Sequence, residues 1–129
     1  MKVQFDYDRS YLPSAPVITL TVDGYSDSAE PATVRTMIDS GADGTMLPTA
    51  VLEKIEASYV DTVRMSGVTG IIEQRDRYRV RIQIGEIVVK GIDAVAVATE
   101  GEGLIGRDVL NQLIVTLNGL AAELTISDQ

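Results

Sequence analysis

Asp39-Ser40-Gly41-Ala42-Asp43 is the segment of this sequence best placed to do chemistry. It follows the apolar pair Met37-Ile38 and carries a glycine, so a carboxylate there can turn out of a strand end into a cleft rather than into a core. An Asp in that position can take a proton from water or give one to a carbonyl oxygen. Alone, the tripeptide Asp39-Ser40-Gly41 also reads as an ordinary polar turn, because Asp, Ser and Gly are common turn formers. The alternatives are few, since the chain has no histidine and no cysteine. A Ser or Cys nucleophile activated by a His base is excluded within the chain, as are thiolate and imidazole zinc sites and a disulfide framework. Carboxylates, hydroxyls, Lys, Tyr and backbone groups remain. Asp39 and Asp43 also raise the question of a hard cation, but no loop here spaces oxygen ligands regularly. No metal and no cofactor is expected.

Such a carboxylate needs a fold to hold it. The chain has 129 residues, 45% of them apolar and 23% charged, which suits one folded domain over residues 1–129. A net charge of −8 argues against a grip on nucleic-acid phosphates. Residues 1–9 carry acidic side chains where a signal peptide has its apolar stretch, and no long apolar run follows, so no membrane partner is expected and the location expected is cytoplasmic.

Short segments of alternating polarity predict strands at 17–22, 33–38 and 59–65, and from Ile71 onward. Gly67, Val68 and Gly70 lie in the turn between the last two. Along 75–84 the two-residue period puts Tyr78, Val80, Ile82 and Ile84 on one face and Arg75, Arg77, Arg79 and Arg81 on the other. That basic stripe reads as a solvated face paired with nearby carboxylates. Separate strands are predicted at 87–89 and 92–98, and a hairpin of 114–117 with 120–126 joined at Asn118-Gly119. Two short helices are predicted, over 48–55 with Pro48 at its first position and over 107–113. Met37-Ile38-Asp39 and Leu104-Ile105-Gly106 form a weak internal echo, each a strand end leading toward a helix.

Read together, Met37-Ile38-Asp39-Ser40-Gly41-Ala42 and the later Leu104-Ile105-Gly106-Arg107 resemble the retropepsins, the retroviral type of aspartic protease, in its cellular and prokaryotic single-domain members. Pro16-Val17-Ile18-Thr19-Leu20 is similar to that family's first strand and Thr116-Leu117-Asn118 to its closing strand. The resemblance implies a mainly β, closed barrel-like acid-protease fold with a flap hairpin and one or two short helices. It implies an aspartic endopeptidase acting on a peptide or protein substrate as a homodimer, with Asp39 catalytic in each chain. Ser40 and Gly41 would support the dyad, while Gly41 and Asp43 on the floor and Gly67, Val68 and Gly70 in the flap would bind substrate. Gly106 and Arg107 would be structural, with Arg107 meeting Asp43.

Two departures from the family pattern stand out. The sequence past Gly119 is longer than the terminal strand of the viral enzymes, and residues 1–14 form an amino-terminal extension that would pack as an added strand, cover the cleft or be trimmed. The competing reading is a catalytically silent module that keeps the fold for binding or dimerisation, because fold does not guarantee activity.

Overall fold

The computed structural model describes residues 1–67 and 69–129; Val68 lies outside the described residues. In chain order the first elements are β1 (Lys2–Asp6), β2 (Val17–Asp23), β3 (Ala32–Ile38), β4 (Met46–Pro48), α1 (Thr49–Lys54) and β5 (Ser58–Ser66). They are followed by β6 (Ile72–Ile84), β7 (Ile87–Val97), β8 (Gly103–Ile105), α2 (Arg107–Leu110), β9 (Ile114–Asn118) and β10 (Glu123–Ser127). The larger sheet runs β2-β3-β8-β4-β7-β6, and a further pairing of residues 21–23 with 81–83 returns β6 to β2. The result is a closed six-stranded barrel. β5 extends from it, paired along β6 as a long hairpin. β1, β10 and β9 form a second, antiparallel sheet in that order.

Alternation supplies the barrel core. Ile18, Leu20 and Val22 of β2, Val34 and Ile38 of β3, and Val80, Ile82 and Ile84 of β6 are buried, while the residues that alternate with them, the buried Val17 excepted, are more exposed. Each such side chain contributes roughly 1.5–3 kcal/mol by leaving water. Leu52 and Ile55, at the end of α1, are buried as well and join the same core. On the opposite face of β6, Arg75, Arg77, Arg79 and Arg81 meet Glu73, Asp61, Asp93 and Asp23. The arginine stripe is thus a partnered, wet strand face.

The arrangement that matters for chemistry is the insertion of β8 between β3 and β4. β8 runs parallel to β3, with Met37 beside Leu104 and Ile38 beside Ile105, and touches β4 antiparallel at Met46. The echo in the sequence is therefore a pair of neighbouring parallel strands. Ile38 and Ile105 are buried at the ends of those strands, so their burial fixes where the chain leaves the barrel and where Asp39 and Gly106 begin.

Four local expectations are corrected. Residues 87–97 form one strand, not two: the β6–β7 register shifts between Val80 and Ile82, setting Lys90 and Gly91 against the single residue Arg81, and Gly91 takes a φ of 68°. A bulge of this kind reverses which side chains point inward, and a sequence reads that reversal as a break. Pro48 ends β4 and precedes α1 instead of opening it, with an extended ψ of 136°. α2 stops at Leu110, although turn hydrogen bonds carry on to Leu113. The β9–β10 connection is four residues, 119–122, because the Asn118 side chain accepts from Ala121 N at 3.1 Å and Ala122 adopts a φ of 54°. The amino-terminal extension contributes β1 as an added strand on β10. Among the described residues, no helix is long and apolar enough to cross a membrane.

Candidate active site

The loop leaving β3 is tied down by its backbone before any side chain acts. Asp39 N donates to Ile105 O at 3.0 Å, Ala42 N donates to Asp39 O at 3.2 Å, and Arg107 N donates to Ala42 O at 2.9 Å. The loop therefore wraps the end of β8. Within it, Gly41 N donates to Asp39 Oδ1 at 2.8 Å, which orients a carboxylate that is only half-buried. Ser40 and Gly41 are exposed beside it. A carboxylate fixed in this way, with one face open to solvent, can exchange a proton with a water molecule.

Arg107 holds the loop from the other side. Its Nη1 donates to Ser40 O at 2.7 Å and its Nη2 pairs with the Asp43 carboxylate. Asp43 is 96% exposed, so the pair adds little to stability. Its contribution is positional: one planar guanidinium sets two points of a loop that carries Asp39 between them and β3. Gly106 is buried where β8 enters α2, and a Cβ there would lie 2.6 Å from the backbone of Gly44.

A second cluster went unrecognised in the sequence. Thr45, fully buried, donates from Oγ1 to Asp108 Oδ1 at 2.8 Å, accepts from Gly106 N at 3.2 Å, and gives its own N–H to Asp108 Oδ2 at 3.1 Å. Adjacent residues of α2, Arg107 and Asp108, thus grip Asp43 and Thr45, two positions apart on the loop. The available signal was a threonine on the entry to an apolar strand. Thr45→Val keeps the shape and removes the hydroxyl, leaving Gly106 N without its acceptor. It is expected to cost about 1–3 kcal/mol in urea unfolding with an unchanged m-value, and Thr45→Ser less.

The β5–β6 hairpin stands over this floor. Its tip spans 67–71, where Gly70 N donates to Gly67 O at 3.0 Å and Gly67 N to Ile71 O at 3.3 Å; Val68, expected to bind substrate, lies outside the described residues. One concavity of about 280 Å³ lies between Met65, Gly67 and Ile71 of the hairpin and Met46 and Val97. Another, also about 280 Å³, lies between Val63 and Met65 and the floor residues Asp43, Gly44 and Asp108. Each is near the lower bound for a ligand pocket and fits one or two side chains. A larger hollow of about 500 Å³, at Gly24, Tyr25, Ser58 and Arg79, shares no residue with the Asp39 loop or the hairpin tip. The second of the smaller pair adjoins the Asp39 loop at Asp43 and Gly44, although Asp39 itself lines neither. Among the described residues, no group of three or more His, Cys, Asp or Glu is gathered to hold a metal ion.

Asp61 clasps the hairpin to β6 through two bonds from Arg77, at 2.7 and 2.5 Å. The hydrogen bond from Arg77, helped by its charge and opposed by slight desolvation, holds the Asp61 carboxyl below its ordinary range. A depressed carboxylate stabilises the fold above its unfolded value and loses that contribution as pH falls through the folded one. Asp61→Asn is therefore expected to lower Tm slightly at about pH 6, with the difference from the parent shrinking as pH falls below the ordinary carboxylate range. A difference that grew toward acid would reverse this assignment.

A closed barrel with a half-exposed Asp on a loop wrapped around an inserted parallel strand, beneath a long hairpin, has the architecture of an acid protease. A family model described as Aspartyl protease matches residues 18–109, and the chain belongs to the aspartyl protease family. Among solved structures it is similar to the EIAV protease complexed with the inhibitor HBY-793, with a TM-score of 0.59 and 19% identity over 75% of this chain and 86% of that one. It is also similar to a retropepsin-like aspartic protease from Rickettsia conorii, with a TM-score of 0.62 and 12% identity over 98% of this chain and 90% of that one. At such identities the likeness is one of fold. No curated protein matches the chain by sequence.

Proposed function

We propose that the chain is an aspartic endopeptidase that acts in the cytoplasm as a homodimer of one-domain chains, with Asp39 from each copy forming the catalytic pair. One observation carries the reading. β3 and β8 are parallel neighbours that end side by side, yet one continues into Asp39 and the other into Gly106, packed too tightly against Gly44 to hold a side chain. The chain supplies one carboxylate where the chemistry needs two. A two-fold axis beside Asp39 supplies the other.

Two carboxylates about 3 Å apart share one proton, because both cannot ionise cheaply. The ionised Asp39 takes a proton from a bound water, whose oxygen attacks the carbon of the scissile amide. The protonated Asp39 of the second copy gives its proton to the carbonyl oxygen. The tetrahedral species then collapses as a proton passes to the amide nitrogen and the C–N bond breaks, so no acyl-enzyme forms. Substrate lies extended between hairpin and floor, with its side chains in the two small concavities. The hairpin acts as a flap: Ile71 and Ile72, 64% and 56% exposed near its tip, are apolar groups that closure over a peptide would cover.

The purified protein, offered a diverse peptide library, is expected to cut internal bonds on the acid side of neutrality, with turnover per chain rising with protein concentration as copies pair. Activity that climbs steadily above about pH 8 contradicts a shared proton.

A further inference from the structure

The hollow of about 500 Å³ lined by Gly24, Tyr25, Ser58, Arg79, Lys90 and Gly91 takes no part in the chemistry proposed above. Ser58 and Arg79 face each other across the open end of the β5–β6 hairpin. Strand rise puts that end roughly 23 Å along β6 from Ile72, near the tip, so the hollow stands apart from the Asp39 cleft. Its volume is that of a small-molecule site.

Three irregular stretches of backbone meet around it. Tyr25 takes a φ of 66°, a left-handed conformation that costs a bulky side chain energy. Its ring is nonetheless held twice: Tyr25 Oη accepts from Gly91 N at 3.0 Å, and the Arg81 guanidinium lies 5.0 Å from the ring centroid. Gly91 belongs to the β7 bulge, and the β5–β6 register shifts just past Ser58, between Tyr59 and Asp61. Strain that the surroundings enforce in this way collects at ligand clamps and other functional sites.

The charges of the hollow have one sign. Among the described residues no carboxylate lines it, although the chain has 19 Asp and Glu against 11 Lys and Arg. Arg79 pairs with Asp93 through Nε and, at 3.5 Å, through Nη2, which leaves Nη1 without a partner among the described residues. Arg81, behind the Tyr25 ring, pairs with Asp23. Lys90 is exposed and has no carboxylate partner among the described residues. Two cationic donors are therefore open, enough for the two oxygens of one carboxylate and too few to surround a phosphate. The rest of the wall is apolar in character: the Tyr25 ring, 44% exposed, and the backbone at Gly91, where an added Cβ would meet nothing within 4 Å.

We propose that this hollow binds a small amphipathic monocarboxylate, its carboxylate on Lys90 and Arg79 and its apolar body against Tyr25 and the Gly91 backbone. Such a ligand bridges β7 to the root of the β5–β6 hairpin. The site does not depend on peptidase activity, so its test needs none. The probe is 3-phenylpropionate, with 3-phenylpropionamide as its uncharged match, each titrated into ¹⁵N-labelled protein at neutral pH. The carboxylate is expected to bind saturably, with a Kd in the roughly millimolar range of a small ligand, and to move the amide signals of Tyr25, Ser58, Lys90 and Gly91 most. The uncharged match should bind at least about tenfold more weakly, because it forfeits the charge-assisted bonds. Lys90→Met keeps the stem and removes the charge, and is expected to weaken binding of 3-phenylpropionate at least about fivefold, whereas Lys90→Arg should stay within about threefold of the parent. Equal binding of acid and amide, signal changes centred elsewhere, a Lys90→Met variant that binds as tightly as the parent, or no saturable change up to about 20 mM each overturns the site.

Discussion

Asp39→Asn is expected to lower peptide hydrolysis by about 10²–10⁴-fold while leaving folding and pairing intact. The loop geometry supports both halves of that expectation. Asp39 Oδ1 accepts one hydrogen bond, from Gly41 N, and the amide oxygen of an Asn can accept the same bond. The backbone ties from Asp39 to Ile105 and Ala42 do not involve the side chain at all. What the variant loses is the ability to hold and pass a proton. The measurement pairs a cleavage assay with a thermal melt; retained turnover in a preparation free of contaminating protease would remove Asp39 from the chemistry.

Gly106→Ala should have a different signature, with stability and activity falling together. An added Cβ would sit 2.6 Å from both Gly44 C and Gly44 O and 3.0 Å from Ala42 O. These are backbone atoms held by Arg107 and by the Thr45–Asp108 cluster, so they cannot swing aside as a side-chain tip would. Overpacking of this kind costs about 1–3 kcal/mol, and the displaced segment, 42–44, is the floor beside Asp39. Gly119→Ala is the matched control: nothing lies within 4 Å of its added Cβ, and the substitution should be close to neutral. Urea midpoints for the two variants separate them, and equal midpoints would mean that β8 does not press on the loop as described.

The parts of this molecule that the sequence made legible are those governed by local rules. Ile18 to Val22 and Tyr78 to Ile84 alternate cleanly, and the structure encloses the alternate residues more than those between them. Asp39-Ser40-Gly41 had the form of a turn at a strand end and occupies one. The parts that stayed hidden depend on contacts between distant residues. β4 is three residues long, too short to show a period, and exists because β7 and β8 flank it. The bulge at Lys90-Gly91 reverses a phase that the sequence can only display as an interruption. Thr45 is polar and fully buried because Asp108, 63 residues away, receives its hydroxyl. A single chain read residue by residue offers no sign of that pairing.

The claim that one site is assembled from two chains has a direct test in mixed dimers. Wild-type protein is mixed with increasing Asp39→Asn protein, allowed to exchange partners, and assayed at fixed wild-type concentration scaled to total chain. If both carboxylates of a pair are needed, activity follows the square of the wild-type fraction, so an equal mixture retains about one quarter of the activity of an all-wild-type sample. An equal mixture that retains about one half, falling in simple proportion to the wild-type fraction, would mean that each chain carries a complete site of its own and would contradict the account.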